Sequence, residues 1–399
     1  MWERNFDVLV AGAGVAGASA ALASARAGLH TALVEKTILV GGLATTGLVN
    51  IYLPLCDGNG TQVTFGIAEE LLHLSIRYGP GDVPPGWERG RNTTSRQRYA
   101  TAFSPASFAL ALDEALAAAG VELWLDTLVC EPAMAGDRLV GLQVENKSGR
   151  GLLRAKCFVD ATGDADVAFR AGAQCACGHN WLSIWAIEAS LDAARKAAAQ
   201  ATGAPLLDVV RLGGDDAGRG APSPKRWTGT SGREVTEFAL EARRLLRDHY
   251  KARYAERGRS ARCDLFPLTL PAMAQFRTTR RVVGLATLSD GQHGRGFPDS
   301  VGLAADWRKA GHVWEVPYGV LVPRNVRGLL AAGRCISAEG DAWQVMRVIP
   351  PAALTGQAAG LAAALAARRD TTPDALEPRD LQAALRAGAI PLHLADVGL

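Results

Sequence analysis

Apolar and polar positions along this chain fall into two periods, and their order predicts the architecture. Residues 6–11 are an almost unbroken apolar run, the mark of a strand buried on both faces. Residues 17–27 follow as a helix of small residues, with Gly28 as its stop signal. Residues 31–35 are a second strand. Strand, helix and strand in that order predict a parallel sheet covered on both faces. Residues 40–65 are rich in Gly and Thr and read as loop, and residues 67–78 as a helix. Residues 79–98 are polar with three prolines, which predicts an excursion from the core. A helix over 107–119 ends at Gly120. Residues 121–131 and 138–145 read as a small antiparallel ribbon, and 157–160 as another buried strand.

The second half begins with a loop over 212–232, either a lid over a site or an exposed connector. Over 233–257, Val235, Phe238, Ala239, Ala242, Leu245, Leu246 and Tyr250 recur at helical spacing. Arg243, Arg244, Arg247, Lys251 and Arg253 give that helix a basic side, while Glu234 and Glu237 sit near its start, as the helix dipole favours. A strand over 329–332 precedes a helix over 351–368, with proline in its first turn and two arginines at its end. A short helix around 380–386 lies in the tail. No internal repeat is present.

Length and composition narrow the classes. A chain of 399 residues suggests two domains, or one large α/β domain with an insert. A formal net charge of +3 gives no argument for nucleic acid or an acidic membrane, and acids offset the bases of the 233–257 helix, which reads as a solvated face. Seven cysteines include no CxxC pair and no Cys/His spacing for zinc, so no metal is expected; Cys175 and Cys177 form a lone CxC. The odd count fits a reducing compartment. The small-apolar run over 352–367 is 16 residues, interrupted by Thr355, Gln357 and two glycines, and is short for a membrane span. A cytoplasmic protein is expected.

Candidate chemistry starts at Gly12, Gly14 and Gly17, a G-x-G-x-x-G set between a strand and a helix. Gly12 permits the tight turn, Gly14 lets backbone approach a pyrophosphate, and Gly17 lets helix and strand pack closely. The helix N-terminus offers free N–H groups and partial positive charge to the phosphates. Glu35 ends the second strand, 18 residues after Gly17, where a carboxylate accepts hydrogen bonds from ribose hydroxyls. These features predict a dinucleotide but do not separate NAD from FAD.

Three further stretches point to flavin: VGGLATTG at 40–47, FVDATGDADVA at 158–168, and the strand, Ala-Gly-Arg turn and helix of 329–360. With GGLATTGLVNIYLPLCDGNGTQVTFGIAEELL, FRTTRRVVG, VPYGVLVP, AGRCISA, PPAALTGQAAG and the tail LQAALRAGAIPLHL, the chain resembles, over nearly its whole length, the FAD-dependent oxidoreductases related to fumarate reductase and succinate dehydrogenase flavoproteins. The resemblance implies an α/β fold: a Rossmann-like FAD-binding domain (glutathione-reductase-like) with a second substrate/cap region inserted. The FAD-binding domain would be discontinuous, over 1–49, 101–169 and 311–399, with the substrate/cap region over 50–100 and 170–310. It implies that Gly12, Gly14 and Gly17, with Ala16 among them, face the pyrophosphate and Glu35 the adenosine ribose. Lys36, Gly42, Leu43 and Ala44 would flank the AMP half and ribityl chain. Val129 would meet adenine, with Ala161, Thr162 and Gly163 lining the same pocket. Gly333 and Arg334 would sit near the ribityl-pyrophosphate, and Pro350, Pro351 and Ala352 at the pyrimidine edge of the isoalloxazine. A helix N-terminus there would stabilise negative charge on reduced flavin. Where many relatives carry Thr-His-Glu after Ile336-Ser337-Ala338, this chain has Glu339, Gly340 and Asp341, which puts a histidine-assisted step at that place in doubt.

In this reading the flavin does the redox chemistry and the protein orients and polarises the substrate. FRTTRRVVG offers Arg280 first, then Arg281 and Arg277, as clamps on a carboxylate or carbonyl. Cys56 is a candidate for approach to the flavin or a covalent link, and His179, His293 and Tyr318 are candidate bases. The expected function is oxidation or reduction of a small organic molecule by hydride transfer to or from flavin N5. One alternative is a flavin monooxygenase or halogenase-like enzyme using NAD(P)H and oxygen, although Trp181 and Trp185 do not complete a halogenase motif. Another is a flavoprotein subunit of an electron-transfer complex, or one contacting RNA. The electron acceptor would be oxygen, a quinone or a protein, and a homo-oligomer is left open.

Overall fold

The first apolar run is the ten-residue strand β1 (Trp2–Ala11), longer than its apolar core because its outer end pairs along a neighbouring strand. The computed structural model describes residues 1–83, 87, 100–258 and 260–399. The excursion expected over 79–98 therefore lies, beyond Val83 and apart from Trp87, outside the described residues. After β1 come helix α1 (Val15–Arg26), strand β2 (Thr31–Val34), and helices α2 (Ile67–Ile76) and α3 (Pro105–Ala118). The Ser104 hydroxyl caps α3 by accepting from the Ser107 N–H at 3.4 Å, and Pro105 fills the first helical position.

The stretch expected as one strand over 121–131 is divided. Glu122–Trp124 (β3) pairs parallel with β2, while Leu128–Ala135 (β4) pairs antiparallel with Arg138–Asn146 (β5). Asp126 separates them with φ 48°, a left-handed conformation that a strand cannot contain. The long strand β6 (Gly149–Asp160) then works twice. Its first half pairs antiparallel with β5, and from Gly151 onward it runs parallel to β1, Trp2 opposite Gly151 through Ala11 opposite Asp160. The central sheet order is β3-β2-β1-β6-β5-β4. A short helix α4 (Asp166–Arg170) leaves the end of β6.

The cap follows. Strand β7 (Cys175–Cys177) precedes β8 (Ser183–Ser190), helix α5 (Leu191–Gln200), strand β9 (Val209–Gly213), the 26-residue helix α6 (Gly232–Arg257) and strand β10 (Leu265–Thr269). β9, β8 and β10 form an antiparallel sheet in that order. Helix α6 lays Phe238, Ala242, Leu246 and Tyr250 on one face of it, against Ile184, Ala186 and Leu265. That is the apolar spacing read from the sequence, and Arg243, Arg244 and Arg247 of the opposite side are exposed. The expected loop at 212–232 contains a compact turn at Asp215 and a two-residue bridge at Arg226–Trp227.

Strand β11 (Arg280–Val282) pairs with β7. The hairpin β12 (Ser300–Ala305) and β13 (Val313–Pro317) carries Val301, Ala304, Trp314 and Val316 into the main core, so the boundary drawn between 310 and 311 passes through it. β14 (Leu329–Ala331) pairs parallel with the end of β6, and α7 (Gly340–Met346), α8 (Ile349–Arg368) and α9 (Pro378–Ala387) close the chain. By length and composition α8 could cross a membrane, yet 83% of its most apolar window is buried inside the protein. It packs on α1 without side chains between them: a Cβ on Gly356 would stand 2.2 Å from the Ala16 carbonyl oxygen, and one on Gly360 2.1 Å from that of Ala20. Gly360→Val is therefore expected to destabilise the apoprotein by about 3 kcal/mol, the upper part of the usual overpacking cost. A urea midpoint equal to wild type would contradict this packing.

Candidate functional site

One cavity of about 430 Å³ opens between the central sheet and the cap, within the range of roughly 300–1,000 Å³ usual for small-molecule sites. Its floor is glycine. At Gly12 (φ +93°) the chain leaves β1, and a Cβ there would stand 2.6 Å from the Ala161 carbonyl oxygen. A Cβ on Gly17 would stand 1.8 Å from the Gly12 carbonyl oxygen, so Gly17 lies behind the cavity and lets the turn form. Gly14 differs: a Cβ there would meet nothing within 4 Å, because its α-carbon borders the cavity. Gly41 bonds across to this loop through its N–H to the Ala13 carbonyl at 2.7 Å, and a Cβ on Gly42 would come within 2.9 Å of the Gly14 Cα. Val15 and Ala16 begin α1 here, with first-turn N–H groups that have no acceptor inside the helix.

Glu35 lines the cavity just past β2. Its carboxylate accepts from the N–H groups of Ala13 and Thr37, both at 2.9 Å, which fixes it against the glycine loop. Lys36, Leu43 and Ala44 are beside it in the lining. On the opposite edge, the buried Asp160 carboxylate accepts from the Thr162 N–H and hydroxyl and from the Ala168 N–H. Burial raises its pKa, and these bonds oppose that rise. They hold Ala161, Thr162 and Gly163 along the wall. Arg334 ties this turn to the rest: Nε donates to the Gly163 carbonyl at 2.7 Å, Nη2 meets Asp164 at 2.5 Å, and Nη1 donates to the Phe276 carbonyl of the cap. The N–H of Gly333 donates to the Thr355 hydroxyl at 3.0 Å, which docks this turn on α8.

Helix α8 starts at the cavity with Val348, Ile349 and Ala352 in the lining. Pro351 is in its first turn but not in the lining, and Pro350 and Pro351 bring no N–H of their own. This helix start therefore offers few free N–H donors to the cavity. Val129, in β4, is outside the lining; its carbonyl accepts from Arg170 at 3.0 Å.

The cap supplies the other wall, including Trp185, Met273, Phe276 and Trp307. Gln275 registers it: its amide accepts from the Trp185 N–H at 2.8 Å and donates to the carbonyls of Trp185 at 3.0 Å and Gly47 at 2.6 Å. The Arg211 guanidinium lies 4.5 Å from the Trp185 ring centre. Of the three arginines taken from FRTTRRVVG, Arg277 is in the lining, with Nε 3.1 Å from Asp216 and Nη1 donating to the Gly214 carbonyl at 2.9 Å. Arg280 and Arg281 are not. Arg280 pairs with Asp166 at 3.4 Å and lies over the Phe169 ring, while Arg281 pairs with Glu339 at 2.7 Å. Glu339, standing where relatives place a different run, also accepts from the Ser289 hydroxyl at 2.9 Å.

Sequence reasoning passed over Arg347, which lines the cavity and meets Asp216 at 2.7 Å. Its signal was its place, three residues before the Pro-Pro turn. Asp216 was hidden in the glycine-rich loop. Among the described residues no His, Cys or Tyr lines the cavity, and no cluster of His, Cys, Asp and Glu suits a metal. His179 is exposed, the rings of His293 and His312 stack at 3.9 Å, and the Tyr318 hydroxyl donates to the Pro373 carbonyl at 2.8 Å. Cys56 is buried, and burial, with Asp57 and Glu69 nearby, pushes its thiol up to about 12.

A family model described as FAD dependent oxidoreductase matches residues 7–184 and 220–385. The chain is 32% identical over 166 residues to digeranylgeranylglycerophospholipid reductase of Picrophilus torridus, a match covering 40% of each protein. It is 34% identical over 76 residues to thioredoxin reductase of Ureaplasma parvum, covering 19% of this chain and 25% of the relative. The chain thus matches less than half the length of either curated relative. A geranylgeranyl bacteriochlorophyll reductase-like protein of Thermoplasma acidophilum aligns with 97% of this chain and 83% of its own, at 15% identity and a TM-score of 0.45.

The open space beyond Gly14 separates binding from folding. Gly14→Val is expected to leave the melting temperature of the apoprotein unchanged and to weaken FAD retention about tenfold or more, roughly 1.4 kcal/mol, measured by fluorescence titration. A thiol pKa of about 12 leaves Cys56 protonated at mildly alkaline pH, where reaction requires thiolate. Alkylation of the folded protein is therefore expected at the exposed Cys177 and Cys263, with Cys56, Cys157 and Cys335 modified only after denaturation, as read by peptide mass spectrometry.

Proposed function

This chain belongs to the FAD-dependent oxidoreductase family, and on that premise we propose that it moves a hydride between FAD and a small organic substrate seated against the cap wall. The observation that carries this reading is a single cavity with the glycine cradle on one side and Trp185, Phe276, Arg277 and Arg347 on the other. The cradle fits the cofactor. Gly14 leaves the room that a Cβ would fill, Gly42 lets its own loop close against Gly14, the start of α1 faces that room, and Glu35 is held where it can accept from ribose hydroxyls. Gly12, Gly14, Ala16, Glu35, Gly42, Ala44, Gly163 and Gly333 are the residues that would hold FAD. Bound there, FAD supplies the hydride acceptor or donor at N5 of its isoalloxazine.

The protein's own part is positional and electrostatic. Trp185, Met273 and Phe276 cover the substrate and exclude water. Gln275 keeps Trp185 in register with the Gly47 loop. Arg277 and Arg347 put positive charge on the cap side of the cavity, where it stabilises negative charge developing on a substrate carbonyl or carboxylate. Among the described residues the lining holds no His, Cys or Tyr, so a proton released by the substrate would pass to a lining carboxylate such as Asp216 or to water.

Anaerobic mixing of the FAD-loaded protein with a panel of small metabolites is expected to bleach the flavin with one substrate class, and oxygen or a quinone to restore the colour. Rapid bleaching by NAD(P)H alone, with oxygen consumed and no bleaching by any metabolite, would instead favour a monooxygenase. On the substrate found, Arg347→Gln is expected to lower kcat/KM on the order of a hundredfold, about 2.7 kcal/mol, as loss of a charged hydrogen bond implies. Arg280→Lys, away from the cavity, is expected to change it little.

A further inference from the structure

We propose that the corner of the cavity between Arg277 and Arg347 is a subsite for an anionic group of the substrate, a carboxylate or phosphate, and that the Asp216 carboxylate holds that place until the substrate displaces it. The inference rests on the hydride-transfer reading of the cavity and names the chemistry of its substrate.

The charges do not balance at this corner. Asp216 bridges both guanidinium groups, Oδ1 at 3.1 Å from Arg277 Nε and Oδ2 at 2.7 Å from Arg347 Nη2, so one carboxylate serves two cations. Arg347 Nη1 and Arg277 Nη2 make no hydrogen bond among the described residues, although both arginines line the cavity. Arg211, stacked on Trp185 in the same wall, has no carboxylate within ion-pair distance among the described residues. Burial pulls the Arg347 guanidinium down to about 10; Asp216 opposes this, and Arg277 and Arg334 add to it. A second anion at this corner would relieve that repulsion. Guanidinium pairs match the two-oxygen edge of a carboxylate or phosphate.

The segment that presents Asp216 is built as a separate piece. Asp215 Oδ1 accepts from the N–H groups of Ala217 and Arg219, both at 2.9 Å, and Oδ2 meets Arg219 Nε at 2.7 Å. Asp215 thus shapes the turn from within, while the Gly214 carbonyl at its base accepts from Arg277 Nη1. Glycine contacts seat it on the Trp181 indole: a Cβ on Gly218 would stand 2.5 Å from Trp181 Cε2, and one on Gly214 2.6 Å from its Cβ. Gly213 and Gly220, at φ +89° and +79°, flank the turn and permit the chain reversal that sets Asp216 beside the two arginines. Trp185, Met273 and Phe276 lie along the same wall, so the anion belongs to a molecule with a flat apolar body.

The test uses the FAD-loaded full chain, titrated with benzoate, its neutral isostere benzamide, and inorganic phosphate. Binding is read by tryptophan fluorescence and by the shift in melting temperature. Asp216→Asn is expected to bind benzoate or phosphate about tenfold tighter than wild type, roughly 1.4 kcal/mol, and benzamide no better. Which of the two anions gains more identifies the natural group. Arg277→Gln added to Asp216→Asn should abolish the gain. Gly218→Ala retains every charge but pushes the turn off Trp181, and it should tighten anion binding as well, which covers a poorly folded Asp216 variant. Anion binding that is unchanged or weaker in both variants, or benzamide binding as tightly as benzoate, overturns the subsite. Because no turnover is involved, flavin bleaching by a neutral metabolite would leave the hydride-transfer reading standing while the subsite fell.

Discussion

Where Gly356 and Gly360 meet the carbonyls of Ala16 and Ala20, two helix backbones touch with no side chain between them. That approach is the constraint on which the site depends. It aims the starts of α1 and α8 into the same cavity, one from each end of the chain. It also explains why α1 is written mostly in Ala, Gly and Ser and α8 mostly in Ala and Gly. A larger residue at the contact would move α8 away from the Gly333 turn, whose N–H is fixed to Thr355. The cradle is thus a consequence of packing, and its glycines serve the fold and the cofactor by the same lack of a Cβ.

Buried charge registers the pieces against one another. Arg334 reaches the β6 turn through Gly163 and Asp164 and the cap through Phe276, spending Nε, Nη1 and Nη2 on three fixed acceptors. Such a residue adds little net stability, since desolvation offsets the attraction, but it specifies one arrangement. Asp160 and Glu35 act likewise, each holding a turn by accepting backbone N–H groups. The corner at Arg347 differs in setting two guanidinium groups, Arg277 and Arg347, against one carboxylate, Asp216.

Much of this was legible in the sequence, for local reasons. The glycine spacing at 12–17, the acid at 35 and the small-residue helix at the end each follow from a rule about what backbone can approach. Helix α6 was readable because its apolar stripe faces a single sheet. What could not be read depends on contacts distant in sequence. The split at Asp126 turns on one left-handed residue with no glycine to announce it. Arg277 and Arg280 stand three apart in FRTTRRVVG, and only the β7–β11 pairing turns one away from the cavity. Asp216 and Arg347 stand 131 residues apart, and no spacing rule joins them.

The α1–α8 contact also bears on the order in which a ribosome delivers this molecule. The glycine turn and α1 emerge well before α8, the other half of the nucleotide site. Until then the faces of Ala16 and Ala20 lie open, and β6 waits for its last neighbour, β14. Non-local pairing of this kind is slow and leaves apolar surface uncovered in nascent chains. Flavin capture therefore waits until α8 has been made, and a chain truncated before Gly356 would carry the fingerprint without the means to keep the cofactor.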